Sequence, residues 1–210
     1  MTKNNVWQIS SVMTAMFALV LFFAGAARAN LVVGGSFEDP VIPLGSPYLL
    51  DISPTGWSGT GDITVQGYAG AVTSGDGNQW LDLNPGTDMG SGISQTIFFN
   101  AGMTYEFSFL YNGGGGGSTK EISYLLVSGS GTLLSGVVST AGMNVYGGTL
   151  WNTFSTPFVP TNSGLETLSI VPNGSWSGGF IDAVTISVIP EPATLSLLAL
   201  GTMFAGRRRS

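Results

Sequence analysis

The chain has 210 residues, 32 of them glycine, with 12 carboxylates against 6 basic side chains and neither cysteine nor histidine. That composition excludes disulfides, thiolate nucleophiles, histidine-based triads and the usual zinc ligand sets, and leaves oxygen as the donor for any metal. Five of the six basic residues, Lys3, Arg28, Arg207, Arg208 and Arg209, lie in the terminal segments, so between Asn30 and Ile189 Lys120 alone stands against eleven carboxylates, a net charge of −10. Phosphate contacts need clustered Lys and Arg, which argues against a nucleic-acid partner.

In chain order, Lys3 precedes an apolar run at 12–26, and Ala27-Arg28-Ala29 puts small residues at the two positions a signal peptidase reads. This predicts a signal peptide over 1–29 with cleavage between Ala29 and Asn30, the run being short for a full bilayer crossing. From 30 to 188, short β-branched and aromatic runs alternate with Gly, Ser, Asn and Pro, and no stretch keeps a helical period. Strands are expected at 31–34, 63–66, 70–73, 79–83, 93–99, 104–111, 122–127, 132–138, 151–158, 167–171 and 180–188. The fold class is therefore all-β, a two-sheet antiparallel sandwich flanked by a signal helix and a C-terminal transmembrane helix. In the strand at 104–111, Tyr105, Phe107, Phe109 and Tyr111 share one face and are expected in the core. The five glycines at 113–117 suit a loop tip. The tail at 189–210 carries Pro190-Glu191-Pro192, an apolar transmembrane stretch at 193–206, and Arg207, Arg208 and Arg209, whose charge holds that end in the cytoplasm.

That ordered tripeptide, apolar segment and arginine cluster resembles the Pro-Glu-Pro (PEP-CTERM) sorting tails recognised by exosortases in Gram-negative bacteria that make extracellular polysaccharide. The resemblance implies export across the inner membrane, processing by signal peptidase and exosortase, and delivery to the cell surface or beyond, with the membrane met only through the terminal segments. A second resemblance rests on Asn30-Leu31-Val32-Val33-Gly34-Gly35-Ser36-Phe37-Glu38, Gly56-Trp57, Asp76-Gly77-Asn78-Gln79-Trp80-Leu81-Asp82-Leu83, Gly92-Ile93-Ser94-Gln95-Thr96, Gly102-Met103-Thr104-Tyr105, Trp151 and Phe180-Ile181-Asp182-Ala183-Val184. Their order is similar to galactose-binding-like jelly rolls of surface proteins with variable (choice-of-anchor) tails. The opening block departs from the usual pattern at Gly34-Gly35, where an Asn normally stands. The resemblance implies a structural calcium ion held by Glu38 and Asp182 with the Ser36 carbonyl, main-chain oxygens and water completing the shell. The alternative is that Glu38 is a solvated loop carboxylate and Asp182 caps a turn.

Sugar sites set flat aromatic rings against a pyranose and surround them with amides and carboxyls. The candidates are Trp57, Trp80, Trp151 and Trp176. Trp57 follows a Pro-Thr-Gly turn and can pack either way, Trp151 reads as core, and Trp176 lies in a Gly/Ser-rich loop with nothing bulky beside it. Asp76, Asp82 and Asp88 with Asn78 and Asn84 form an acidic neighbourhood without an EF-hand pattern, and Asp82 reads as part of a solvated strand face opposite Leu81 and Leu83. The expectation is an exported, exosortase-processed surface or matrix protein, non-catalytic, either binding carbohydrate such as exopolysaccharide or structural. The alternative is a secreted glycan-active enzyme using a carboxylate pair, although no pair is singled out.

Overall fold

The computed structural model describes residues 29–43, 48–50, 53–61, 63–67, 73–83, 91–113, 119–129, 131–141, 150–173 and 179–190. Asn30–Ser187 forms one compact unit. Among the described residues there is no helix, hence none long and apolar enough to cross a membrane. The expected signal and tail helices lie outside the described residues, as do most of the glycines at 113–117 and the strand expected at 70–73 up to residue 72.

The strands are β1 (Tyr48–Leu50), β2 (Ser58–Thr60), β3 (Thr64–Gln66), β4 (Trp80–Asp82), β5 (Gly92–Phe99), β6 (Tyr105–Asn112), β7 (Glu121–Ser128), β8 (Gly131–Ser139), β9 (Asn152–Phe158), β10 (Gly164–Pro172) and β11 (Phe180–Val188). They build two antiparallel sheets, sheet A in the order β1-β3-β4-β11-β6-β9 and sheet B in the order β2-β5-β10-β7-β8. The two short strands β1 and β2 were not expected. The strand expected at 31–34 is instead a turn, in which the Phe37 N–H donates to the Gly34 carbonyl and Gly34 and Phe37 adopt φ of 64° and 56°. Neither angle belongs to a strand.

Period-two alternation builds the core. Tyr105, Phe107 and Phe109 of β6 are buried, and on the neighbouring β9 their partners Phe158, Thr156 and Phe154 turn the same way. Tyr124 of sheet B reaches across to Phe107, Phe109 and Phe154, with ring centroids 5.6, 6.3 and 4.7 Å apart, while Phe99 meets Tyr105 and Phe158 edge-on at 5.0 and 5.4 Å. Each fully buried large apolar side chain of this kind contributes roughly 1.5–3 kcal/mol. On β11, Ile181 and Val184 are both fully buried despite two residues between them, because Ala183 takes a left-handed φ of 48° and resets the alternation.

The registers sort the connections to two ends. At one end, 100–104 and 159–163 join strands of the two sheets beside the Phe99, Tyr105 and Phe158 rings, and 129–130 closes the β7–β8 hairpin. At the other end β4, β6, β8 and β10 finish and β5, β7, β9 and β11 begin. The backbone at Gly179, just before β11, packs beside the Asn112 carbonyl at the end of β6, so β11 runs from this second end and finishes at the first.

Candidate functional site

The β3–β4 connection does not turn back directly; its descending part, 73–79, lies on the outward side of sheet A as a strap. Two carboxylates from distant parts of the chain hold it. Asp182 Oδ2 accepts the N–H groups of Gly75 and Asp76 at 2.9 and 2.8 Å, and its Oδ1 accepts that of Ala183 at 2.7 Å. Glu38 Oε1 accepts the N–H groups of Asn78 and Gln79, both at 2.7 Å. A glycine is required between them: Gly77 has φ of 65° and an added Cβ would strike the Glu38 carboxylate. The buried Gln79 side chain continues the seam, donating to the carbonyls of Phe37 and Pro40 and accepting the Ile42 N–H. Asp182 is wholly buried, and its carboxyl is pushed up to about 7, first by desolvation and further by the Asp76 carboxylate, against the lowering effect of its three N–H donors.

The strap's other edge meets Trp151. The indole N–H donates to the Thr73 carbonyl at 2.8 Å, and Gly75 approaches so closely that an added Cβ would lie 2.7 Å from Leu110 Cδ1 and 3.0 Å from Trp151 Cδ2. Trp151 is thereby fixed yet only half-buried. From it an open strip runs along the outward side of β6 and its neighbours. Leu110 is followed by Ser108, whose hydroxyl shares a 2.8 Å hydrogen bond with Thr185, and then by Glu106, whose Oε1 accepts from Ser155 Oγ at 3.0 Å. Leu110, Ser108, Thr185 and Glu106 are all partly exposed, and Ser155 is exposed. Four residues of strand span about 14 Å, longer than a single pyranose ring. An anchored aromatic ring, paired hydroxyls and a carboxylate in line can receive a polyhydroxyl chain through stacking and hydrogen bonds.

On the β3–β4 side the outward positions are buried. Trp80 packs on Phe180 with centroids 6.0 Å apart, and Asp82 Oδ2 accepts from Gln66 Nε2 at 2.8 Å. Asp82 thus lies opposite Leu81, as alternation requires, but it is buried rather than solvated. Trp80 Nε1 and Thr64 Oγ1, on the same side, are buried without a hydrogen-bond partner.

Trp57 is a core residue. It is 6% exposed, packs tilted against Phe37 with ring centroids 6.0 Å apart and donates its indole N–H to the Gly34 carbonyl, so it presents no platform. Trp151, expected in the core, is the half-exposed ring instead. Trp176, Asp88, Asn84, Glu191, Pro192 and Arg207 to Arg209 lie outside the described residues. Glu38 and Asp182 do come to one turn, where five N–H groups bind both Asp182 oxygens and Glu38 Oε1; among the described residues no three acidic side chains group as a metal site. Sequence reasoning overlooked Glu106, Ser108 and Leu110, although the alternation that buries Tyr105, Phe107 and Phe109 puts them on the opposite face.

Residues 188–210 match the PEP-CTERM protein-sorting motif, so the chain carries the sorting tail of an exported protein. No curated protein matches the sequence. In structure the chain is similar to the CBM22-1 xylan-binding domain of Paenibacillus barcinonensis Xyn10C, with 15% identity, a TM-score of 0.53, and coverage of 80% of this chain and 99% of that one. It is similar to TmCBM61 in complex with β-1,4-galactotriose, with 18% identity, a TM-score of 0.53, and coverage of 78% and 99%. It also matches 27% of the MgGH51 α-L-arabinofuranosidase over 79% of its own length, at 12% identity and a TM-score of 0.51. These likenesses define the fold class alone, an all-β jelly-roll sandwich, here followed by a PEP-CTERM sorting motif.

Proposed function

We propose that the protein is a non-catalytic, surface-delivered module that binds a polysaccharide chain along the open strip of sheet A. The observation that carries this reading is the half-exposed Trp151, locked by its N–H to Thr73 at the head of a row formed by Ser108, Thr185 and Glu106. A fixed ring stacks on a sugar without losing rotamer freedom on binding, and hydroxyls that already hydrogen-bond one another present oriented lone pairs. The xylan and β-1,4-galactotriose bound by the structurally similar domains make β-1,4-linked oligosaccharides the first class to try. Exosortase processing of the tail would deliver the module to the exopolysaccharide layer. Isothermal titration against xylo- and galacto-oligosaccharides should give saturable binding without release of reducing ends. Release of reducing ends would transfer the reading to a glycan-active enzyme, and binding by none would leave a structural matrix role.

Calcium belongs to the same proposal. Glu38 and Asp182 flank one turn, Ser36 lies two residues from Glu38, and the buried Asp182 has no cationic side chain among its hydrogen-bond partners, a setting a divalent ion would relieve. Because a ligand of the folded state stabilises it by mass action, calcium at about a hundred times Kd should add roughly 2.7 kcal/mol. Thermal melts in chelator and in excess calcium measure this directly, and identical melts would leave the two carboxylates as strap clamps only.

A further inference from the structure

The end of the sandwich at which β11 finishes gathers four of the ten large apolar side chains that are exposed among the described residues. Four large apolar side chains are exposed there: Phe98 (54%) beside its cross-strand partner Leu165 (67%) on sheet B, Met103 (41%) in the β5–β6 turn, and Val159 (51%) at the end of β9. The two turns brace each other, with the Gly102 N–H donating to the Pro160 carbonyl and the Ala101 N–H to Ser163 Oγ. In a domain with eleven carboxylates, the connections 100–104, 129–130 and 159–163 contain no charged residue. Lys120 lies at the opposite end.

The chain itself indicates what meets this end. Residues 188–192 are all that separate Ser187 from the apolar stretch at 193–206, and five residues reach at most about 18 Å. With that stretch in a bilayer, a tether of this length keeps the β11 end within reach of the headgroups. We propose that, while the tail is intact, this apolar end rests on the bilayer surface from which the tail descends, with Phe98, Met103, Val159 and Leu165 in the interfacial layer. Apolar side chains gain by entering that layer, and the lack of carboxylates in the turns avoids repulsion by anionic lipids. Docked this way, the module presents its opposite end away from the membrane. The proposal is independent of the sugar reading.

The absence of cysteine makes the test clean. Phe98→Cys, Val159→Cys and Val137→Cys each replace a side chain more than half exposed, at 54%, 51% and 51%, so a thiol-linked, polarity-sensitive fluorophore there leaves the core intact. Val137 pairs with Ser123 toward the far end of sheet B and serves as the equally exposed control. With the full chain reconstituted by its tail into phosphatidylcholine–phosphatidylglycerol vesicles, labels at 98 and 159 should shift to the blue and be quenched by lipids carrying a nitroxide high in the acyl chain. The label at 137 should do neither. Equal emission from all three positions would overturn the proposal. So would a blue shift at 98 that nitroxide lipids fail to quench, since a second copy of the chain would then be covering the patch.

Discussion

The two sheets obey the same alternation inside but turn different surfaces outward. Sheet B shows an outward face of Ser94, Thr96, Thr167, Ser169, Ser123 and Ser135 interspersed with apolar side chains, whereas sheet A carries a strap, one buried and one half-buried carboxylate clamp and a fixed tryptophan. Both faces follow from strands of similar composition. The difference comes from one connection, 73–79, that lies across sheet A because Asp182 and Glu38 satisfy four of its N–H groups. The proposed binding surface is thus made by what is laid over a sheet more than by the sheet.

The largest contrast between the two faces should appear on changing pH. Asp182 is raised in the folded state, to about 7, above its ordinary value of 3.8, so the folded state binds the proton more tightly than the unfolded chain. Its contribution is fully present below the unfolded value and is lost as pH rises through the folded one. In chelator, denaturant titrations should therefore show stability falling between about pH 4 and pH 7, by at most roughly 1.4 kcal/mol per unit. Asp182→Asn should flatten that slope, and an unchanged slope would show that other carboxylates cause it.

A smaller effect is expected at Gly77. Gly77→Ala forces a side chain into a left-handed conformation and against Glu38, which should cost about 1–2 kcal/mol in urea melts. On sheet B, Thr167→Ala and Ser169→Ala touch neither clamp nor core and should stay within about 0.5 kcal/mol of the parent. A loss on sheet B as large as at Gly77 would dissolve the distinction between the faces.

Much of this was legible in the sequence, and the exceptions share a cause. The long strands announce themselves by period two, as at Tyr105, Phe107 and Phe109, and the sorting motif by order of chemistry at the terminus. β1 and β2, three residues each, are too short to show a period. The turn at 31–34 has strand-like Leu31, Val32 and Val33, but long-range bonds decide its shape: Gln95 binds both the N–H and the carbonyl of Val33. Local context left Trp57 open and put Trp151 in the core, whereas the structure buries Trp57 and leaves Trp151 half-exposed. What separates them is a partner far along the chain, the Gly34 carbonyl in the core for one and the Thr73 carbonyl on the strap for the other.

The central claim, that the strip on sheet A is a carbohydrate-binding face, is tested most directly by affinity electrophoresis of the tail-less secreted protein in gels containing xylan or β-1,4-galactan. Trp151→Ala and Glu106→Gln are compared with Thr167→Ala on sheet B, with melting temperature as a control for folding. The parent and Thr167→Ala should be retarded in at least one polysaccharide, while Trp151→Ala and Glu106→Gln should run as in a plain gel although both still melt cooperatively. Retardation of all four proteins alike, or of none, would contradict it.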